Sequence, residues 1–231
     1  AASSNTDGTI SSSVSANQTA GFSIVSYTGT GSNATVGHGL SSAPEFVLVK
    51  ERDGTGQWSI QSTRLSAASK VIHLQSTGAE STKADHFNST FPTSTVFSVG
   101  TSGNTNGNTH PFIAYCFHSV DGYSKVGSYV GNASTDGTFV YTGFRPAWIM
   151  QKKSSSSGND WTIYDTARDT FNVAEDLLRP NLSNAESDTT SFDILSNGFK
   201  IRSSAGTFNA SGATFIYLAF AEAPFKLANA R

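Results

Sequence analysis

Apolar residues in this chain fall in short runs with a two-residue period, separated by polar turn residues. Phe22 to Tyr27 alternates and Phe46 to Lys50 is a compact apolar run; Trp58-Ser59-Ile60, Val71 to Leu74, Val96 to Val99 and Phe112 to Phe117 follow. Each run is too short for a helix and rich in β-branched or aromatic residues, so each predicts a strand. In the last run, Phe112, Ala114, Cys116 and His118 share one face, and Ile113, Tyr115 and Phe117 the other. Both faces are apolar, which predicts a central strand covered on both sides.

From residue 121 the pattern restarts. Strands are predicted over Tyr123–Val130, Thr138–Thr142, Ala147–Gln151, Trp161–Tyr164, Phe192–Leu195, Phe199–Arg202 and Phe215–Phe220. Asp53-Gly54, Asp136-Gly137, Asn197-Gly198 and Ser211-Gly212 supply turns. Asn172 to Arg179 reads as a short helix, capped by Asn172 and stopped by Pro180. Residues 1–20 carry Ile10 and Val14 in a Ser/Thr/Ala/Asn-rich text, too sparse for a core element, and predict a linker or extended segment. Pro224 to Arg231 predicts a short tail docked along the surface.

The restart is a duplication. Gly21-Phe22-Ser23 answers Gly122-Tyr123-Ser124. Pro44 to Lys50 answers Pro146 to Lys152, Trp58-Ser59-Ile60 answers Trp161-Thr162-Ile163, Phe97 answers Phe199, and Phe112-Ile113 answers Phe215-Ile216. The order is kept and the spacing drifts only as small gaps require. Such a period is too long for a solenoid and fits a duplicated domain. The expected fold is all-β: two tandem, internally duplicated β-sandwich-like units in close contact, over residues 21–120 and 121–231. Separate sandwiches and interlocked copies sharing one core both satisfy the pattern.

Composition narrows the functional classes. Only 14% of residues are charged and the net charge is −2, against the basic face that nucleic-acid binding or a membrane surface requires. The polar residues are mostly Ser, Thr, Asn and Gly, which suits turn-rich extracellular or virion β proteins. A single cysteine, Cys116, forbids an intrachain disulfide and reads as a small core residue. No apolar run is long enough to span a membrane. The N-terminus has no signal-peptide core and no initiating Met, and reads as the start of a processed or excised piece.

Candidate chemistry is thin. No G-x-S-x-G elbow is present, and the five histidines, 38, 73, 86, 110 and 118, show no metal-ligand spacing. Asp160, Asp165, Asp169, Glu175 and Asp176 cluster around Trp161 and Tyr164, as a glycosidase would require. Loop acids are ordinarily solvated, however, and Asp165 with Arg168 reads as a surface ion pair. Asp7-Gly8, Asp53-Gly54 and Asp136-Gly137 lack the ligand density of a calcium loop and read as turns. Trp58, Trp148, Trp161, Tyr141 and Tyr164 could stack on sugar rings or a protein partner, although Trp58 and Trp161 equally read as core anchors repeated with the fold.

Several blocks resemble one family. They are Gly21 to Gly31, Val36 to Leu40, Ala43 to Phe46, Gly127 to Asn132, Thr135 to Trp148 and Ala219 to Phe225. Together they resemble tail-fibre-like virion proteins of tailed bacteriophages, often marine, over nearly the whole chain. The resemblance implies a virion structural or host-adhesion protein at the particle surface and brings no catalytic site.

The expectation is therefore a non-enzymatic virion protein, the C-terminal part of a tail fibre or spike that attaches to a host-surface glycan or protein. A decoration protein with structural contacts only, and a carbohydrate-active enzyme or its binding module, are the alternatives. No catalytic residue, metal ligand or cofactor is assigned. Trp58, Arg145, Trp161 and Tyr164 are the ligand-binding candidates. The expected partners are further copies of the chain, as a homotrimer, other virion proteins and a host-surface molecule, with no nucleic acid and no membrane insertion.

Overall fold

Strand pairing follows the predicted alternation. In the computed structural model the described residues are 1–223, so the predicted docking of Pro224–Arg231 lies outside them. The chain divides into two compact units, the first formed by Ala1–Leu74 with Glu80–His118, the second by Gln75–Ala79 with the chain from Ser119 onward.

The first unit contains β1 (Ser3–Asn5), β2 (Ser12–Asn17), β3 (Phe22–Thr28), β4 (Ala34–Gly37), β5 (Phe46–Glu51), β6 (Ser59–Ser62), β7 (Lys70–His73), β8 (Ser81–Thr82), β9 (Val96–Val99), a one-turn helix α1 (Gly103–Asn106) and β10 (Pro111–Phe117). Eight strands form one antiparallel sheet in the order β1-β2-β3-β10-β5-β6-β7-β8, and β4 pairs with β9. Val25, Val49, Phe97, Phe112, Ala114 and Cys116 are among the buried residues of its core.

The second unit contains β11 (Ser124–Val130), β12 (Phe139–Tyr141), β13 (Pro146–Lys153), β14 (Thr162–Asp165), β15 (Ala174–Leu177), β16 (Ser187–Leu195), β17 (Gly198–Ile201), α2 (Gly206–Asn209) and β18 (Thr214–Ala221). Its sheets run β11-β18-β13-β14 and β12-β17-β16-β15. A second core, with Ile149, Tyr164, Phe192, Phe199 and Phe215, is built only from this unit's residues.

Register proves the duplication residue by residue. Phe112 faces Tyr27 and Glu51 in the first unit, and Phe215 faces Tyr129 and Lys153 in the second. Val36 faces Phe97, and Val140 faces Phe199. Each one-turn helix ends on a fully buried asparagine. Asn106 accepts from Thr30 N at 2.8 Å and donates to Ser32 O and Gly100 O; Asn209 accepts from Asn132 N at 2.8 Å and donates to Asn132 Oδ1, Ser134 O and Ser203 O. A buried amide with its groups satisfied fixes the surrounding loops, because leaving any of them unpaired would cost about 1–3 kcal/mol.

Three expectations are corrected. Residues 1–20 take the extended alternative rather than the linker and do contribute to the core: β2 pairs with β3 in full register, Val14 and Ile10 are buried, and Ile10 bridges Val36. Only Ser12 and Val14 of β2 point inward, and the Ser12 hydroxyl donates to Gly37 O at 3.1 Å, so this strand carries little apolar text although β1 and β3 flank it. The expected helix at Asn172–Arg179 is strand β15, because β16 supplies a ladder and the Asn172 amide accepts from Ile194 N and donates to Ile194 O. Closing strand β10 is central, but only its Phe112-Ala114-Cys116 face is fully buried; the Ile113-Tyr115-Phe117 face is half-buried, with Phe117 stacked on Phe22 at 4.7 Å.

Candidate functional site

Of the four predicted ligand-binding residues, Trp58 belongs to the first unit and Arg145, Trp161 and Tyr164 to the second. Trp161 and Tyr164 are 1% and 0% exposed, so neither ring offers a face to a ligand. Tyr164 packs edge-on against Phe192 at 4.7 Å and donates to Ser191 Oγ at 2.6 Å, and burial drives its phenol pKa up. Large aromatics stabilise most when fully buried, and both rings serve packing. Trp58 is half-buried immediately before β6. The Arg145 guanidinium is already bound, to Glu222 at 2.7 Å and to Ile194 O at 3.0 Å.

The acidic cluster is likewise committed to structure. Asp165 pairs with Arg168 at 2.7 Å, and this partner holds its carboxyl below the usual range against the opposing effect of partial burial. Asp169 accepts from the backbone of Glu175 and Asp176, and Asp160 accepts from Asn181 at 2.7 Å. Histidine 38 is fully buried and neutral: burial lowers its pKa, Nε2 lies 3.1 Å from Thr93 O, and Nδ1 accepts from Leu40 N. Burial pushes the Cys116 thiol up to about 12, leaving it inert.

A different group does converge. Glu51 ends β5, Asp53 lies in the turn after it, and His110 immediately precedes β10. Antiparallel pairing of β5 with β10 brings residues 59 positions apart side by side. His110 Nδ1 lies 2.5 Å from Glu51 Oε1 and 3.7 Å from Asp53 Oδ1. One ligand atom from each of the three lies within 4.8 Å of the others. Gly54 leaves room beside the carboxylate: a Cβ there would sit 2.3 Å from Glu51 Oε2 and displace it. The carboxylate and imidazole open onto a cavity of about 260 Å3 that Gly103, Asn104 and Gly107 also line. Sequence reasoning read Asp53-Gly54 as turn chemistry alone; the acid at 51, the acid at 53 and the histidine before the closing strand were the available clue.

The second unit contributes a surface of another kind. In the first unit the N-terminal strands cover the open side of β3 and β4, with Ile10 N donating to Thr35 O at 3.0 Å. The equivalent edges of the second unit have no such cover among the described residues. Hydroxyls blunt β11 instead: Ser119 Oγ accepts from Val126 N at 3.0 Å, and Thr138 Oγ1 donates to Val130 O at 2.8 Å. Beside them Val130, Phe139 and Tyr141 stand 55%, 45% and 65% exposed.

Residues 1–224 match the family described as "Domain of unknown function (DUF7483)", and the chain belongs to that family. No curated protein matches the chain. Among solved structures, the chain is similar to the major capsid protein P2 of bacteriophage PM2, at 10% identity over 86% of this chain and 96% of that one. The TM-score is 0.24, too low for the likeness to carry an argument. No described helix is long and apolar enough to cross a membrane.

Proposed function

We propose that the protein is a non-enzymatic structural component of a bacteriophage virion, the C-terminal part of a tail fibre or spike that attaches to a host-surface glycan or protein. The observation that carries this reading is the Val130-Phe139-Tyr141 patch. The N-terminal strands cover this side in the first unit, whereas among the described residues Val130, Phe139 and Tyr141 stand exposed in the second, and exposed apolar surface marks an interaction site. Exposed aromatic rings offer apolar faces that suit sugar rings or a polar protein partner. The resemblance of the motif blocks to tail-fibre-like proteins points the same way. Further copies of the chain in a trimer would repeat a weak site and raise avidity.

The test is adhesion of the purified protein to host cells. Alanine at both Phe139 and Tyr141 should abolish retention while the far-ultraviolet spectrum is unchanged. Retention equal to that of the unaltered protein would refute the patch as the attachment face.

A further inference from the structure

We propose that Glu51, Asp53 and His110 bind a divalent first-row transition ion such as Zn2+. The donor set is one imidazole nitrogen and two carboxylates, which zinc and its neighbours accept and which calcium and magnesium, as oxygen-seeking ions, do not favour. Zinc sits about 2.0–2.2 Å from nitrogen and oxygen ligands, so tetrahedral ligand atoms lie about 3.4 Å apart. The spacing of Asp53 from His110, 3.7 Å, is already close to that. The 2.5 Å spacing of Glu51 from His110 is a hydrogen-bond spacing, and must widen by about an ångström to admit the metal. Asp53 and His110 are half-exposed and free to turn, whereas Glu51, with a side chain 12% exposed, is the fixed ligand.

The duplicate repeat is an internal control. Glu51 faces Phe112 where Lys153 faces Phe215. The carbonyl of His110 accepts from Gly29 N, and that of Ala213 accepts from Gly131 N, both at 2.9 Å. Lysine and alanine therefore serve the same strand register, so the fold does not require glutamate and histidine there. Nearby Lys50 turns its ammonium to backbone carbonyls, Glu51 O at 2.5 Å and Gly54 O at 2.7 Å, leaving the carboxylate oxygens to the imidazole. The remaining coordination position faces the cavity, with room for water or a donor from another molecule.

The test is titration of ZnCl2 into the purified chain by calorimetry, with Cu2+ as a second, spectroscopic probe. One zinc ion per chain should bind. His110→Ala, the residue of the second repeat, and Glu51→Gln should each weaken binding at least ~10-fold, since even outer-shell losses cost that much. The metal-free melting temperatures of both variants should match the unaltered protein. Bound Cu2+ should show coupling to a single imidazole nitrogen that disappears in His110→Ala. No zinc binding up to about 1 mM, binding unchanged in the two variants, or copper coupling that survives His110→Ala would overturn the proposal.

Discussion

Tyr27 and Tyr129 are one position of the fold used twice. Tyr27 donates to Thr105 O at 2.5 Å and stacks on Phe112 at 5.4 Å; Tyr129 donates to Phe208 O at 2.8 Å and stacks on Phe215 at 4.8 Å. Each ties the strand beside its unit's closing strand to the one-turn helix of that unit, in a buried setting where the carbonyl has no water to replace the phenol. Phenylalanine at either position should keep the stacking, lose the bond and cost about 1–3 kcal/mol. Urea unfolding of the two single variants checks this, and losses of similar size are the expected outcome.

Where the repeats differ, they differ in compensating pairs. Val25 faces Ala114 in the first unit; the equivalent pair in the second is Gly127 and Tyr217. A Cβ on Gly127 would lie 2.3 Å from the Tyr217 ring, so the aromatic fills the space that valine fills in the other repeat. Gly127→Val alone should destabilise by overpacking, about 1–3 kcal/mol, and Tyr217→Ala alone by opening a cavity, about 3–5 kcal/mol. Combined, they rebuild the pair of the first unit, and a double-mutant cycle should return a favourable coupling of about 0.5–3 kcal/mol.

All five histidines lie in the first unit, and three are held below their ordinary pKa, chiefly by burial. His73 falls from 6.5 to about 4, with the neighbouring His86 and Lys83 adding to the effect; its ring lies 5.8 Å from that of His86. A neutral histidine in the folded state takes up fewer protons than in the unfolded chain. Stability from this source is complete above pH 6.5 and is lost as pH falls toward 4. Melting temperatures between those limits should fall less steeply in His73→Gln.

The second unit should respond in the alkaline range. Lys152 is fully buried beside Lys153, and its pKa drops to about 8, with burial the main cause and Lys153 the next. Below pH 8 both states are protonated and the folded state bears the cost of a buried ammonium. As pH rises from 8 to 10.5 the unfolded chain holds the extra proton, so stability rises. Lys152→Met should raise the melting temperature at pH 7 and flatten that rise.

The sequence reveals most where one physical rule governs. Alternation exposed the strands, and the ordered Pro, Trp and Phe landmarks exposed the duplication. It hid β2 because that strand points only Ser12 and Val14 inward, and the Ser12 hydroxyl fills a position where apolar text would have been expected. It hid β15 because four residues with apolar ends fit helix and strand equally, and the Asn172 amide, bonded to Ile194, decides between them only in the folded chain. Trp161 and Tyr164 misled because an aromatic suited to a sugar is equally suited to a core. Glu51 and His110 meet only through the pairing of β5 with β10, which no local pattern encodes.

The most direct measurement is electron microscopy of intact particles labelled with an antibody to this chain. Label at the distal end of a tail appendage is the predicted result. Label spread over the capsid, repeated along a tube, or absent from the particle would contradict a role in host attachment.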